Sequence, residues 1–526
     1  MLRSRGGGRR GAVLMQLAAR DEQLLLEPLA HLFPYPAFCY ILSRCTPDAE
    51  QRLTQGLQAC LDGAYAFVGG RISASRHAVI DEGPAAGVPF SVVLDDAAVL
   101  SVLERGGGTE REEAIVGVAA DLRSPAGCWR GKEPLLTVVL HRFTGRQDAV
   151  LAVSRAHAIL DGIGYCRFID AWAREARGEA VASGAIDPPQ PERRAGVPSR
   201  PWGPGYGHSH VWRLRRAEAL RAEDAAFCSA LRDQCTGSCR LLVELSLTQL
   251  DVLRRAATPS GAAALVTTQV ALTAHTLLAL LTLRSRGPRP RAESRVRVGF
   301  LIDARRFLPR ADAFGNWYVC AYICWSLSRE GPEEVAGRQQ RLIEVADALS
   351  RGLEAIDRSF VVHALAHAAF LRAPTAAVRR LCGTLHLDTV ERAAAQRDAE
   401  RSLAMRTLSG GSTSRGISIG HEWMSPSQLA SVGVGFDMEM NMAGGELPCF
   451  GPRGADEGKG VPATMQASAC LTTRPDWLRQ VMCLPRAGGG VVLCIPHAVF
   501  DHLPHQAAQL RAKLCDVQTY CTVRGV

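Results

Sequence analysis

Two apolar runs stand back to back at residues 135–143 and 148–155, joined by Thr144-Gly145-Arg146-Gln147. Runs of that length separated by a short turn-forming segment predict a hairpin of neighbouring antiparallel strands. A helical pattern begins almost at once beyond it. Tyr165, Phe168, Ile169 and Trp172 recur at helical spacing, and Gly178 stands where such a helix closes. The chain therefore mixes strands and helices, and His157 falls in the short connection between the second strand and the helix. Connections of this kind carry chemistry because a rigid frame exposes their side chains.

The remaining organisation is consistent with a mixed α/β chain of several units. At 526 residues the sequence exceeds one compact domain. Strands are expected over 38–44, 241–245, 297–303 and 315–325, and a helix over 47–61. Residues 64–72 read as a turn into a strand, and 486–490 as a turn between two strands. Ser246 and Gln249 form a capping-box pattern ahead of another helix. A Pro-rich stretch at 187–210 reads as a crossover between a unit over 28–186 and a unit over 211–526. Residues 409–416, rich in Gly and Ser, read as a loop.

Composition narrows the class of partner. Apolar residues make up 47% and charged residues 21%, an ordinary globular balance. The net charge of +9 favours anionic partners. Aromatics are not interleaved with a basic stripe, so nucleic acid is not expected. A phosphate-bearing co-substrate agrees better with that charge. The 17 cysteines are scattered, mostly in apolar runs, as buried reduced thiols in a cytoplasmic protein would be. Residues 1–27 form a basic arm. Arg3, Arg5, Arg9, Arg10 and Arg20 lie there without an acid before residue 21, so organellar targeting by residues 1–20 is the alternative to a disordered tail. Residues 256–283 carry no charged side chain, long enough for a membrane span. The break at 259–261, with Gln269 and His275 inside the run, favours a buried core helix instead.

Acyl transfer from a thioester needs a group that removes a proton from an alcohol or amine and returns one to the departing thiolate. An imidazole suits both steps because its pKa lies near neutrality. His157-Ala-Ile-Leu-Asp161-Gly162 offers one, with Asp161 placed to orient the loop and Gly162 to permit close chain approach. On pattern alone, a satisfied interior histidine accounts for His157 better than catalysis does, and Asp161 is equally well a helix N-cap.

The segment Ser154-Arg-Ala-His157-Ala-Ile-Leu-Asp161-Gly162 resembles the HxxxDG motif of the BAHD acyltransferases, a plant-type family that uses CoA thioesters. Further landmarks follow in the family's order. Tyr65-Ala-Phe-Val-Gly-Gly-Arg71 is similar to its YYPLAGR stretch, and Asp170-Ala-Trp-Ala-Arg-Glu-Ala-Arg-Gly178 to a helix end. Ile302-Asp303-Ala-Arg305 with Phe314-Gly-Asn316 resembles its vD.R…YFGN segment, and residues 491–496 its last strand. An ordered set across residues 28–515 is far more specific than any one motif. The family's DFGWG segment is matched only by Gly433-Val-Gly-Phe-Asp437, with Trp423 before it, which points to a divergent branch.

The resemblance implies two chloramphenicol-acetyltransferase-like α/β units around a central solvent channel. It implies His157 as the general base, and Asp161 paired with Arg305 in a structural role beside Gly162. Trp423 is a candidate substrate contact. It implies acyl-CoA as co-substrate, no permanently bound cofactor, no metal, a small-molecule alcohol or amine as acceptor, and a cytoplasmic monomer without a membrane span. Two alternatives stay open: a binding protein of the same fold that has lost catalysis, and a wax-ester or condensation-type enzyme. Condensing domains carry a second His before the motif His, where this chain has Ala156.

Other patterns carry less. His497-Ala-Val-Phe-Asp501-His502 nearly copies the motif but follows the last strand. His363 and His367 share a helix face without the Glu of a zinc protease or a third ligand. The glycines of 454–460 lack phosphate-loop spacing, and no Gly-x-Ser-x-Gly elbow occurs.

Overall fold

The computed structural model describes residues 13–17, 23–25, 37–46, 48–72, 79–81, 87–105, 109–118, 134–156, 159–179, 181, 240–284, 293–307, 318–328, 335–358, 360–361, 433–437, 447–451, 465–473, 480–486, 488–496, 507–518 and 520. Among them lie two six-stranded mixed sheets and one small three-stranded sheet.

The first large sheet contains β1 (Val13–Leu17), β3 (Ala37–Ser43), β6 (Val88–Asp95), β7 (Leu136–Phe143), β8 (Ala149–Arg155) and β13 (Gln466–Thr473), in the order β1-β6-β7-β8-β3-β13. The small sheet holds β2 (Gln23–Leu25), β4 (Arg71–Ile72) and β5 (Val79–Asp81). The expected hairpin is β7 against β8, antiparallel, with Leu136 opposite Arg155 and Val138 opposite Val153. Every residue of β8 is buried, because helices cover both faces of the sheet. Ala149, Leu151 and Val153 face α1 (Ala49–Asp62) and α4 (Gly162–Ala176). Val150 and Ala152 face α2 (Ala97–Arg105) and α3 (Thr109–Val118). The period-2 alternation of a strand thus feeds two cores at once.

The second large sheet has the order β11-β10-β12-β14-β15-β9. Its strands are β9 (Arg240–Leu245), β10 (Glu293–Asp303), β11 (Tyr318–Ser328), β12 (Gly433–Asp437), β14 (Gln480–Pro485) and β15 (Val491–Pro496). Val481, Cys483, Leu493 and Ile495 pack under α5 (Leu247–Ala257), α6 (Thr268–Arg284), α7 (Val335–Glu354) and α8 (Ala507–Cys515). Met482, Leu484 and Cys494, on the opposite face, join Phe450 in the core of the first sheet. One apolar core therefore spans both sheets.

Local signals match the elements closely: the turn into a strand expected over 64–72 is a 3₁₀ turn, Ala66–Gly69, before the two-residue strand β4. Two differences stand out. The strand expected over 315–325 is Tyr318–Ser328. Residues 433–437 are an interior strand, parallel to both β10 and β14. In addition, Gln466–Thr473 pairs antiparallel with β3 at the edge of the first sheet. The chain thus returns to that sheet well after residue 210. The capping box is complete: Gln249 N–H donates to Ser246 Oγ at 3.2 Å, and Ser246 N–H to Gln249 Oε1 at 2.9 Å.

Helices α1 and α4 pack unusually closely. A Cβ at Gly56 would lie 2.6 Å from the backbone nitrogen of Ala176, and Trp172 Nε1 donates to Leu53 O at 2.8 Å across the same contact. Gly56→Val is expected to cost about 1–3 kcal/mol, because only backbone movement can make room. Chemical denaturation of the two proteins checks this, and unchanged stability refutes the close approach.

The uncharged run 256–283 is interrupted. Helix α5 ends at Ala257 and α6 starts at Thr268. No helix among the described residues is long and apolar enough to cross a membrane. Helix α6 is buried around most of its circumference, as a core helix is. His275 sits in it with Nε2 3.1 Å from Leu514 O and Nδ1 3.3 Å from Tyr520 Oη. The carbonyl can only accept, so Nε2 carries the proton and Nδ1 accepts from the tyrosine. Burial pushes the imidazole pKa below its ordinary value of 6.5, against the raising effect of the Leu514 hydrogen bond. Acid must protonate this ring in the unfolded chain before the folded one. Stability from the neutral ring is thus fully present above pH 6.5 and is lost as pH falls toward the depressed folded value. The expected slope is about 1.4 kcal/mol per pH unit in that window. Melting curves from pH 7.5 to 5 should be flatter for His275→Gln than for the parent chain, and equal slopes count against it.

Candidate functional site

The strand-to-helix connection after β8 is anchored at several points. Ala156 N–H donates to Leu135 O at 2.7 Å, and Ile159 N–H to Ala156 O at 3.2 Å. Asp161 follows as the N-cap of α4, in extended conformation with φ −73° and ψ −176°. Its Oδ1 accepts the Gly164 N–H at 2.8 Å, which satisfies one of the donors that a helix start leaves open.

The other oxygen of Asp161 does something a cap does not require. Arg305 Nη1 lies 2.7 Å from Asp161 Oδ2, with both side chains buried. Arg305 belongs to the 3₁₀ turn Ala304–Phe307 directly after β10, so the pair ties the start of α4 to the end of a second-sheet strand. Asp303 orients the guanidinium from its own side. Its Oδ1 accepts from Arg305 Nη1 at 3.0 Å and from Arg305 N–H at 3.1 Å. Burial alone would lower the Arg305 pKa. The charge and hydrogen bond of Asp161, then those of Asp303, outweigh it, and the net shift is upward. The guanidinium is therefore a permanent cation here, fixed between two carboxylates.

Two glycines follow Asp161. Gly162 is buried as the first residue of α4. The sequence pattern assigns no role to Gly164. A Cβ there would meet Asp161 Oδ1 and Leu160 Cδ2, each at 3.2 Å, with Arg305 Nη2 at 3.8 Å. The space for the buried ion pair is thus kept at Gly164. Its signal was the GxG spacing after Asp161.

Arg155, the last residue of β8, is a second side chain that the sequence did not single out. It is fully buried. Its Nε donates to Leu160 O at 3.3 Å, and its guanidinium carbon lies 4.1 Å from the Tyr165 ring centroid and 5.3 Å from that of Phe38. Those two rings stack at 4.7 Å, and Tyr40 Oη donates to Tyr165 Oη at 3.1 Å.

The early landmark is also built of close contacts. Arg71 Nη1 donates to the carbonyls of Gly87 at 2.9 Å and Gly70 at 3.0 Å. Tyr65 meets Phe168 of α4 edge-on at 5.2 Å. At the far end of α4, Gly178 adopts the left-handed conformation, φ +78°, that closes the helix. His157 lies outside the described residues. So do Trp423, Phe314 to Asn316, His363, His367, 409–416, 454–460 and the near copy at 497–502. Among the described residues no three His, Cys, Asp or Glu side chains are grouped to hold a metal ion.

Neither a protein-family model nor a curated protein sequence matches the chain. Solved structures do. Vinorine synthase is 14% identical, with a TM-score of 0.55 over 96% of this chain and 98% of that one. F. graminearum TRI101, solved with coenzyme A and deoxynivalenol, is 13% identical, with a TM-score of 0.54 over 92% and 97%. TRI3 trichothecene 15-O-acetyltransferase from Fusarium sporotrichioides is 10% identical, with a TM-score of 0.50 over 98% and 97%. Such likeness, spanning nearly the whole of both chains, gives this protein the mixed α/β fold of vinorine synthase, TRI101 and TRI3.

Proposed function

We propose that this chain transfers an acyl group from acyl-CoA to the hydroxyl or amine of a small-molecule acceptor, with His157 as general base. The observation that carries the reading is the buried Asp161–Arg305 pair at 2.7 Å. It fixes the residues that follow His157 against the second sheet and leaves Asp161 no free oxygen for substrate: one caps α4 and the other holds Arg305. Proton transfer then falls to the histidine. Support also comes from the fold shared with vinorine synthase and with TRI101, which was solved with coenzyme A.

In this mechanism the acceptor gives its proton to the His157 imidazole as its oxygen or nitrogen attacks the thioester carbonyl. The tetrahedral intermediate collapses, the carbon–sulfur bond breaks, and the leaving thiolate takes the proton back from the imidazolium. No acyl-enzyme forms, so donor and acceptor must be bound together. The two-unit organisation, with residues 187–210 as the crossover, belongs to the same reading. It brings the HxxxDG loop of one unit against the 303–305 turn of the other.

The test is release of free thiol from a panel of acyl-CoAs, with and without a mixture of alcohols and amines. Release that depends on both substrates, with acylated acceptor seen by mass spectrometry, is the expected result. Binding of CoA thioesters without turnover under any pairing would favour the inactive-binder alternative and refute the proposal.

A further inference from the structure

We infer that Arg155 is a positioning residue for the catalytic loop, acting through the backbone that carries His157; this rests on the function proposed above. Arg155 ends β8, and its Nε reaches forward to the carbonyl of Leu160. That bond bridges the stretch of chain 156–160, whose sequence contains His157. The guanidinium is itself held. The Tyr165 ring, from the helix after the loop, covers it at 4.1 Å, and the Phe38 ring, from the neighbouring strand, lies at 5.3 Å. Both distances fall within the range of cation–π attraction. The brace is therefore rooted in three elements: β3, β8 and α4.

A buried guanidinium is a costly way to fill a core. A hydrophobic side chain of similar volume commonly does as well for stability or better. What the apolar residue lacks is a donor for the Leu160 carbonyl and a planar group fixed by the rings. The position is thus better explained by geometry than by stability. Reaction rates are steeply sensitive to the placement of a catalytic group, and a displacement of about 1 Å costs up to about 10²-fold.

The experiment compares Arg155→Met and Arg155→Lys in the full chain, alone and combined with His157→Ala. Folding is checked by circular dichroism and melting temperature. Arg155→Met is expected to fold and to lose about 10–100-fold in kcat, with KM for acyl-CoA within about twofold of the parent. Arg155→Lys keeps the stem and charge and should recover part of the loss. It carries the test if the Met variant fails to fold, with kcat reduced several-fold and KM unchanged. In the His157→Ala background neither change should matter further, because residues that act as one unit are not additive. Three results overturn the inference. Parent-level kcat in the folded variant, with His157→Ala inactive, removes the role of Arg155 and leaves the proposed function standing. An equal loss in both backgrounds shows that Arg155 acts independently of His157. Full turnover by His157→Ala removes the proposed function and this inference with it.

Discussion

His157→Ala is expected to lower kcat for acyl transfer by about 10²–10⁴-fold, the usual contribution of a positioned general base. The loss should be chemical rather than structural. The loop ends are held by groups other than the imidazole: Ala156 N–H on Leu135 O, and Asp161 on both Gly164 N–H and Arg305. The variant should therefore melt near the parent and bind acyl-CoA with similar affinity. Single-turnover rates with saturating donor and acceptor separate this from a binding defect. His497→Ala, at the near copy of the motif, should turn over like the parent. The reverse pattern would place the base at the later histidine and refute the assignment.

The second large effect concerns stability. Arg305→Met is expected to cost about 3–5 kcal/mol, because it leaves the buried Asp161 carboxylate without its cation. Asp303 does not compensate, being a carboxylate as well. Asp161→Asn should cost less. Its side-chain oxygen can still accept the Gly164 N–H, and Arg305 keeps Asp303 at 3.0 Å. The double variant Asp161→Asn with Arg305→Met should be more stable than the two single losses added together, since no buried charge is then left facing a missing partner. Urea denaturation of all four proteins measures the coupling. Strict additivity would mean that the pair contributes nothing across the two sheets. Because the Arg305 pKa is shifted upward, the pair's cation does not titrate near neutral pH, and the coupling should be flat between pH 7 and 9.

Several elements could be read from residues near one another in the chain. The β7–β8 hairpin follows from two apolar runs and a four-residue turn. The α5 start follows from Ser246 and Gln249, and the α4 start from Asp161 before a helical stripe. The sequence leaves Asp161 open between a helix N-cap and a role in orienting the loop, and the family resemblance adds a pairing with Arg305. In the structure one carboxylate both caps the helix and pairs with Arg305, because it has two oxygens and one helix donor to satisfy. Strand 433–437 was harder to read. With two glycines and few apolar residues it looked like the remnant of a landmark, yet it lies between two parallel partners inside the second sheet. A five-residue strand flanked by others needs little propensity of its own, because its neighbours supply the hydrogen bonds.

The site divides in the same way. That the chain mixes strands and helices, that a His-x-x-x-Asp-Gly loop joins a strand to a helix, and where that helix closes were determined by the sequence alone. These features depend on side chains within a turn or a hairpin of each other. Only the tertiary structure decided that Gln466–Thr473 joins the first sheet, that one apolar core spans both sheets, that Gly164 keeps space beside the ion pair, and that Arg155 is buried against the stacked rings of Phe38 and Tyr165. The physical reason is that strand pairing uses backbone groups identical at every residue. Burial of a charge, in turn, depends on which distant side chains arrive around it, and neither leaves a mark in local periodicity.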